Sequence, residues 1–359
     1  MTHAFTGYCR PVLIGSMPLT DHEEAQRLVQ STTPEVPVWA QLPRLAGEGM
    51  VEQFLPGMPG LKQETGRYYI DTADEAFGDA LVAFYERYLS MEDGALDARS
   101  AGFGLDPGVA GGFYVLERAL ADRSAPLAAI KGQVTGPITF TTGLKDSTGQ
   151  AIFYDPQLRD VAVKQLAGNA RWQVERLSPF GVPVIIFIDE PALAGFGSSE
   201  FISMTREAVA AALAEVIATV HGAGGLAGIH VCANTDWSLV LESAVDIVNF
   251  DAFAYFDRFI LYPDAVRGFL QSGRYLAWGI VPTLDAADIL GETVDSLVAR
   301  FVAGVDRLVA LGLNRQQVMR QSLISPSCGV GALSPELALR VLSLTREVSD
   351  VLRGMIASS

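Results

Sequence analysis

The chain has 359 residues, 49% of them hydrophobic and 19% charged, enough apolar side chain for a large core and too much for disorder to be its main state. Its 26 basic and 41 acidic residues leave a net charge of −15. Such a surface repels phosphate backbones and anionic lipid, so nucleic acid and membranes are not expected partners.

In chain order, the first predicted strand is 11–16 (PVLIGS) and the second 36–42 (VPVWAQL). The stretch 43–124 is too long for one connection and reads as an insertion, with helices near 74–89 and 107–122. A strand over 129–135 follows and ends in a rigid Gly136-Pro137 turn. Helix 156–177, strand 184–189 (VIIFID) and helix 203–221 come next. Strands over 226–232, 247–251 and 275–281, helix 293–311, strand 318–324 and helix 335–352 complete the chain. Ser334-Pro335 makes an N-cap and N1 signal for the last helix. Several strands are almost continuously apolar, as parallel strands covered on both faces are.

Eight strands alternating with helices predict an α/β chain folded as one (β/α)8 barrel over 1–359, with the 43–124 insertion after the second strand. A doubly wound open sheet is the rival, but no glycine fingerprint follows an early strand. No apolar run reaches the roughly 18 residues of a spanning helix. The start, MTHAFTGYCRPVL, has neither a basic n-region nor a long apolar h-region. Three scattered cysteines make no disulfide framework, and a reducing cytoplasmic setting is the expectation.

Chemistry in a barrel collects at the carboxyl ends of the strands. There the sequence places Gly15-Ser16, Asp189-Glu190, His230 and Cys232, Asp251, and Cys328. His230 and Cys232 are two apart, so on a strand they share a face. Imidazole with two thiolates is a zinc-type donor set, with Asp251 as a fourth, weaker oxygen ligand. Cys9 falls outside this end and reads as packing, and His3, His22 and His221 read as solvated. Two adjacent carboxylates after an apolar strand cannot both be buried without partners. Asp189 therefore reads either as a turn cap or as the partner of a substrate cation. Ser16 reads either as a turn residue or, with Gly15, as a donor to a substrate carboxylate.

The stretches IGSMP, GQVTGPIT, FIDEPAL, IHVCAN and ISPSCG resemble the catalytic barrel of cobalamin-independent methionine synthase. They also resemble the related zinc methyltransferases of the uroporphyrinogen decarboxylase-like superfamily. The resemblance runs over about 11–351. It implies zinc on His230, Cys232 and Cys328, with Asp251 where that family has a glutamate ligand. It also implies Ser16 on the carboxylate of homocysteine and Asp189 as the catalytic-site residue on its amine. Zinc would then present the acceptor sulfur as thiolate for attack on an activated methyl group.

The sequence also departs from that family. LPRLAGEGMVEQF puts Arg44 or Gly47 where a glutamate is expected, with Glu48 out of register. Pro282-Thr283 stand where the family has a histidine credited with proton transfer to its folate, and there is one barrel rather than two. These departures point to a methyl-corrinoid donor, and so to a corrinoid protein as partner, rather than methyltetrahydrofolate. The competing readings are a coenzyme M-type acceptor, a methyltetrahydrofolate-dependent methionine synthase, a porphyrinogen decarboxylase and a non-catalytic thiol- or corrinoid-binding module.

Overall fold

A computed structural model describes residues 5–196 and 204–357. Seven strands form one parallel, curled sheet in the spatial order Arg10–Pro11, Ser322–Pro326, Tyr275–Val281, Ile247–Phe250, Leu226–Val231, Val184–Asp189, Ile130–Thr135. Between its two edge strands runs the segment 36–42. It pairs in parallel at Val38 with Lys131 and at Gln41 with Ser16. Backbone bonds reinforce both contacts, from Lys131 N to Pro37 O (2.8 Å) and from Gln41 N to Gly15 O (3.0 Å).

This segment was expected to be a full strand, and the first strand was expected to run to Ser16. Both form shorter ladders, the second because Pro37 has no N–H to donate. The last strand also differs. It begins at Ser322 rather than 318, because Asn314 accepts from Gln317 N and caps a short helix, Arg315–Arg320, over the residues assigned to the strand.

The stretch 43–124 holds the expected helices, Phe77–Glu92 and Gly111–Ala121. It also holds a hairpin, Leu61–Glu64 with Arg67–Ile70, that pairs with Lys145–Asp146 in a small second sheet. Helices Pro156–Leu177, Arg206–Gly222, Val294–Ala310 and Pro335–Ala357 follow the predicted pattern closely.

Side-chain parity divides the parallel strands into an outer and an inner face. Outward residues such as Ile186, Ile188, Ile229, Val248 and Ile324 join the helices in one large core. Inward residues form a second apolar cluster, including Val12, Val36, Ala129, Ile185, Phe187, Ile247, Ala277 and Leu323. Every strand of the sheet contributes to this plug or has a neighbouring residue that does. Two residues further along several strands the inner face turns polar, with Lys131, Gln133, Asn249 and Ser325 all buried. Asp189, His230 and Asp251 lie beyond them, toward the carboxyl ends.

Candidate active site

At that end is a cavity of about 290 Å³, lined by Ile14, Ser16, Gln41, Glu48, Met50, Thr135, Asp189, His230, Cys232 and Cys328 among others. His230 is the next-to-last residue of its strand and Cys232 the first residue after that strand's end. Cys328 follows the last strand by two. One ring nitrogen of His230 and the two sulfur atoms lie within 4.8 Å of one another. The ring's Nδ1 is hydrogen-bonded to Asn249 Oδ1, whereas the buried Nε2 has no hydrogen-bond partner. An orphaned imidazole nitrogen beside two sulfurs is the donor set a soft divalent ion requires.

The electrostatics agree. Hydrogen bonding from Cys328 lowers the Cys232 pKa against the effect of burial, while the same contact and burial raise that of Cys328. Burial disfavours the imidazolium of His230, but interaction with the Cys232 sulfur outweighs it and the net shift is upward.

Asp251, expected as the fourth ligand, is not part of this three-residue cluster. Its Oδ1 caps helix Ala252–Phe259 by accepting from Ala254 N at 2.8 Å. Burial raises its pKa to about 6.

Asp189 and Glu190 have separate tasks. Glu190 is spent on structure: its carboxylate accepts from Ile138 N (2.8 Å), Thr139 N (2.9 Å) and Thr139 Oγ1 (2.7 Å), capping helix Pro137–Gly143. Gly136 permits this approach, since a Cβ there would lie 2.1 Å from the Glu190 carboxyl carbon. Asp189 lines the cavity, and its buried Oδ1 has no partner. Burial raises its pKa, and the nearby Lys131 and His230 oppose that rise. Lys131 is fully buried, donating to Ile14 O (2.6 Å) and Gln133 Oε1 (3.2 Å) with its ammonium 4.3 Å from the Phe187 ring centroid. Burial lowers its own pKa.

Ser16 lines the same cavity, tied to the Cys328 loop by a bond from Val330 N to Ser16 O (3.1 Å). Gly329 leaves room for the serine hydroxyl, because a Cβ there would sit 2.0 Å from Oγ. Gly15, just before Ser16, is not itself a lining residue.

Glu48 and His22 were misjudged from the sequence. Glu48 reaches the cavity despite its shifted position, only 3% exposed, with Oε2 accepting from Leu42 N (2.9 Å). Its Oε1 is 2.8 Å from His22 Nε2, so His22, expected to be solvated, is paired. Helix His22–Thr32, capped by Asp21, puts the imidazole there. A carboxylate preceding MVEQF by one glycine was the available signal for Glu48, but nothing in the spacing pairs it with residue 22. Cys9 is buried as expected, the exposed His221 has its Nε2 2.7 Å from Asp246 Oδ2, and His3 lies outside the described residues.

A metal-type His/Cys/Cys centre at the carboxyl end of a curled parallel sheet defines a class of α/β enzyme with its chemistry at one strand end. Residues 110–350 match the family described as the cobalamin-independent synthase catalytic domain. The chain belongs to that family, and it is a methyltransferase of methionine synthase type. Among solved structures it resembles a B12-independent methionine synthase from Shewanella sp. W3-18-1 in complex with selenomethionine. That match has a TM-score of 0.56 and 13% identity, over 98% of this chain and 100% of the other. No curated protein matches the sequence.

Membership in a cobalamin-independent family overturns the expected methyl-corrinoid donor and corrinoid-protein partner. No helix among the described residues is long and apolar enough to cross a membrane.

Proposed function

We propose that this chain is a zinc-dependent methyltransferase that methylates the sulfur of homocysteine, forming methionine. Residues 1–359 would act as a single (β/α)8-type catalytic domain, with segment 36–42 as the eighth stave and 43–124 as its insertion. The observation that carries the reading is the composition of the cavity wall. A His/Cys/Cys cluster and two carboxylates, Asp189 and Glu48, line it, with no arginine or lysine among the lining residues. Such a wall suits an acceptor with a thiol and a cationic amine, and it disfavours a sulfonate acceptor of the coenzyme M type. It equally disfavours a porphyrinogen, whose many carboxylates call for cations. The selenomethionine held by the Shewanella enzyme is the selenium analogue of the proposed product.

His230, Cys232 and Cys328 would hold the zinc, and Asp251 would serve as an outlying carboxylate near it. Bound zinc stabilises a thiol as its thiolate, so that a nucleophile exists near neutral pH. Asp189, with its unpartnered oxygen, takes the acceptor's ammonium, and Glu48 adds a second negative charge. Ser16 Oγ and neighbouring backbone take the acceptor's carboxylate. These contacts set the acceptor sulfur in line with the incoming methyl group. The donor is methyltetrahydrofolate, which the family uses. At the position credited with protonating the leaving folate stand Thr283 and its hydroxyl partner Ser327, 2.8 Å apart.

The test supplies zinc-loaded protein and homocysteine with methyltetrahydrofolate or methylcobalamin separately, and measures methionine and metal content. About one zinc per chain and methionine from the folate donor are expected. Cys328→Ser should lose most of the zinc while staying folded. Absence of zinc uptake sinks the metal centre, and turnover from methylcobalamin alone reverses the donor.

A further inference from the structure

Asn249 stands behind the cluster at the centre of a bond network that spans four neighbouring strands. It is fully buried on the inner face of strand Ile247–Phe250, with its Cα in register with His230 on one side and Ala277 on the other. Its Nδ2 donates to Ala277 O (2.9 Å) and Ser325 Oγ (2.7 Å). A backbone carbonyl can only accept, so the amide nitrogen must lie on that side and Oδ1 on the other. Oδ1 meets His230 Nδ1. An amide oxygen can only accept too, so Nδ1 carries the hydrogen, and in the neutral ring, the form that binds a metal, the Nε2 lone pair is free. Nε2 is the buried atom without a hydrogen-bond partner.

We propose that Asn249 is a positioning residue, fixing the tautomer and ring orientation of His230 so that Nε2 faces the two cysteine sulfurs. The metal consequence rests on the zinc reading above; the tautomer assignment stands apart from it. The anchor is rigid because both Asn249 hydrogens are committed to neighbouring strands. Once neutral, a ring held this way does not have to give up rotational freedom or change tautomer when an ion arrives. Loss of such an outer partner typically lowers metal affinity about 10- to 100-fold.

The experiment compares wild type, Asn249→Ala and Asn249→Asp. It measures zinc affinity by chelator competition and the sulfur-to-metal charge-transfer band with cobalt. In the metal-free proteins at alkaline pH, ¹⁵N NMR of His230 and thermal unfolding complete the set. Wild type should show the Nδ1–H tautomer. Asn249→Ala should mix the tautomers and bind zinc about 10- to 100-fold more weakly. Asn249→Asp keeps an oxygen at Nδ1–H, so it should restore the tautomer and most of the affinity even if its metal-free form melts earlier.

Unchanged tautomer and zinc affinity in Asn249→Ala would overturn the proposal. So would an aspartate variant as impaired as the alanine one, since the loss would then follow stability rather than the hydrogen bond. A wild type that shows the Nδ1–H tautomer but takes up neither ion supports the positioning role and refutes the zinc reading instead.

Discussion

Asp189 and Glu190 are chemically near-identical neighbours with opposite fates. Strand parity turns Asp189 to the inner face, two residues beyond Phe187 of the plug, and Glu190 reaches back to helix Pro137–Gly143. An acceptor ammonium on Asp189 would satisfy its orphaned oxygen with a charged hydrogen bond, worth about 1.5–3 kcal/mol. Asp189→Asn should therefore weaken homocysteine binding by one to two orders of magnitude while zinc affinity changes little. Equal losses of both would contradict the assignment. The pH dependence has a definite sign. Burial raises the Asp189 pKa, and only the ionised form holds an ammonium, so acceptor KM should climb on acidification earlier than for an ordinary carboxylate. Glu48→Gln should raise the same KM without lowering zinc content. The sequence made His230, Cys232, Cys328, Asp189 and Ser16 legible because strand-end position and period-two spacing are local properties. Glu48 and its pairing with His22 were not legible, since they depend on how a loop and a distant helix pack together.

At the scale of elements, the junction between strand Ile130–Thr135 and helix Pro137–Gly143 depends on Glu190. Three donors meet its carboxylate, yet burial dominates and lifts its pKa to about 7 from an ordinary 4.5. A group raised in the folded state contributes stability that is complete below its unfolded pKa and lost as pH rises through its folded one. Metal-free protein should therefore lose part of its stability between about pH 4.5 and about pH 7. Glu190→Gln should be less stable overall and lack that component of the slope. Thermal melts of both proteins across this range check it, and parallel curves would refute it. Element prediction failed where side chains or prolines override pattern. Pro37 interrupts what reads as a clean apolar strand, and the Asn314 cap draws Val318, Met319 and Arg320, the expected start of a strand, into a helical turn. Long apolar strands such as Val184–Asp189 and the helix Pro156–Leu177 were legible to the residue, because pattern and burial agree there.

For the whole molecule, two separate apolar clusters carry the fold, one between sheet and helices and one inside the curl. Neither includes Cys232 or Cys328, which is why metal loss should leave the fold standing. The family match begins at residue 110, whereas Ser16, Gln41 and Glu48 come from the first fifty residues. The part of the cavity built by this amino-terminal stretch therefore lies outside the matched residues.

The inner plug has a kinetic consequence. Val12, Ile185, Phe187, Ile247 and Leu323 fill the inside of the curl below the polar layer, so among the described residues the chamber is closed on that side. On the proposed reaction, an acceptor bound at the cysteines would enter before the bulkier methyl carrier and leave after it. A pulse of radiolabelled homocysteine bound to the enzyme, then chased with excess unlabelled homocysteine together with the methyl carrier, should yield labelled methionine in the first turnover. If the label is instead diluted away, the acceptor is released faster than the carrier commits it to reaction, and it is not held behind the carrier.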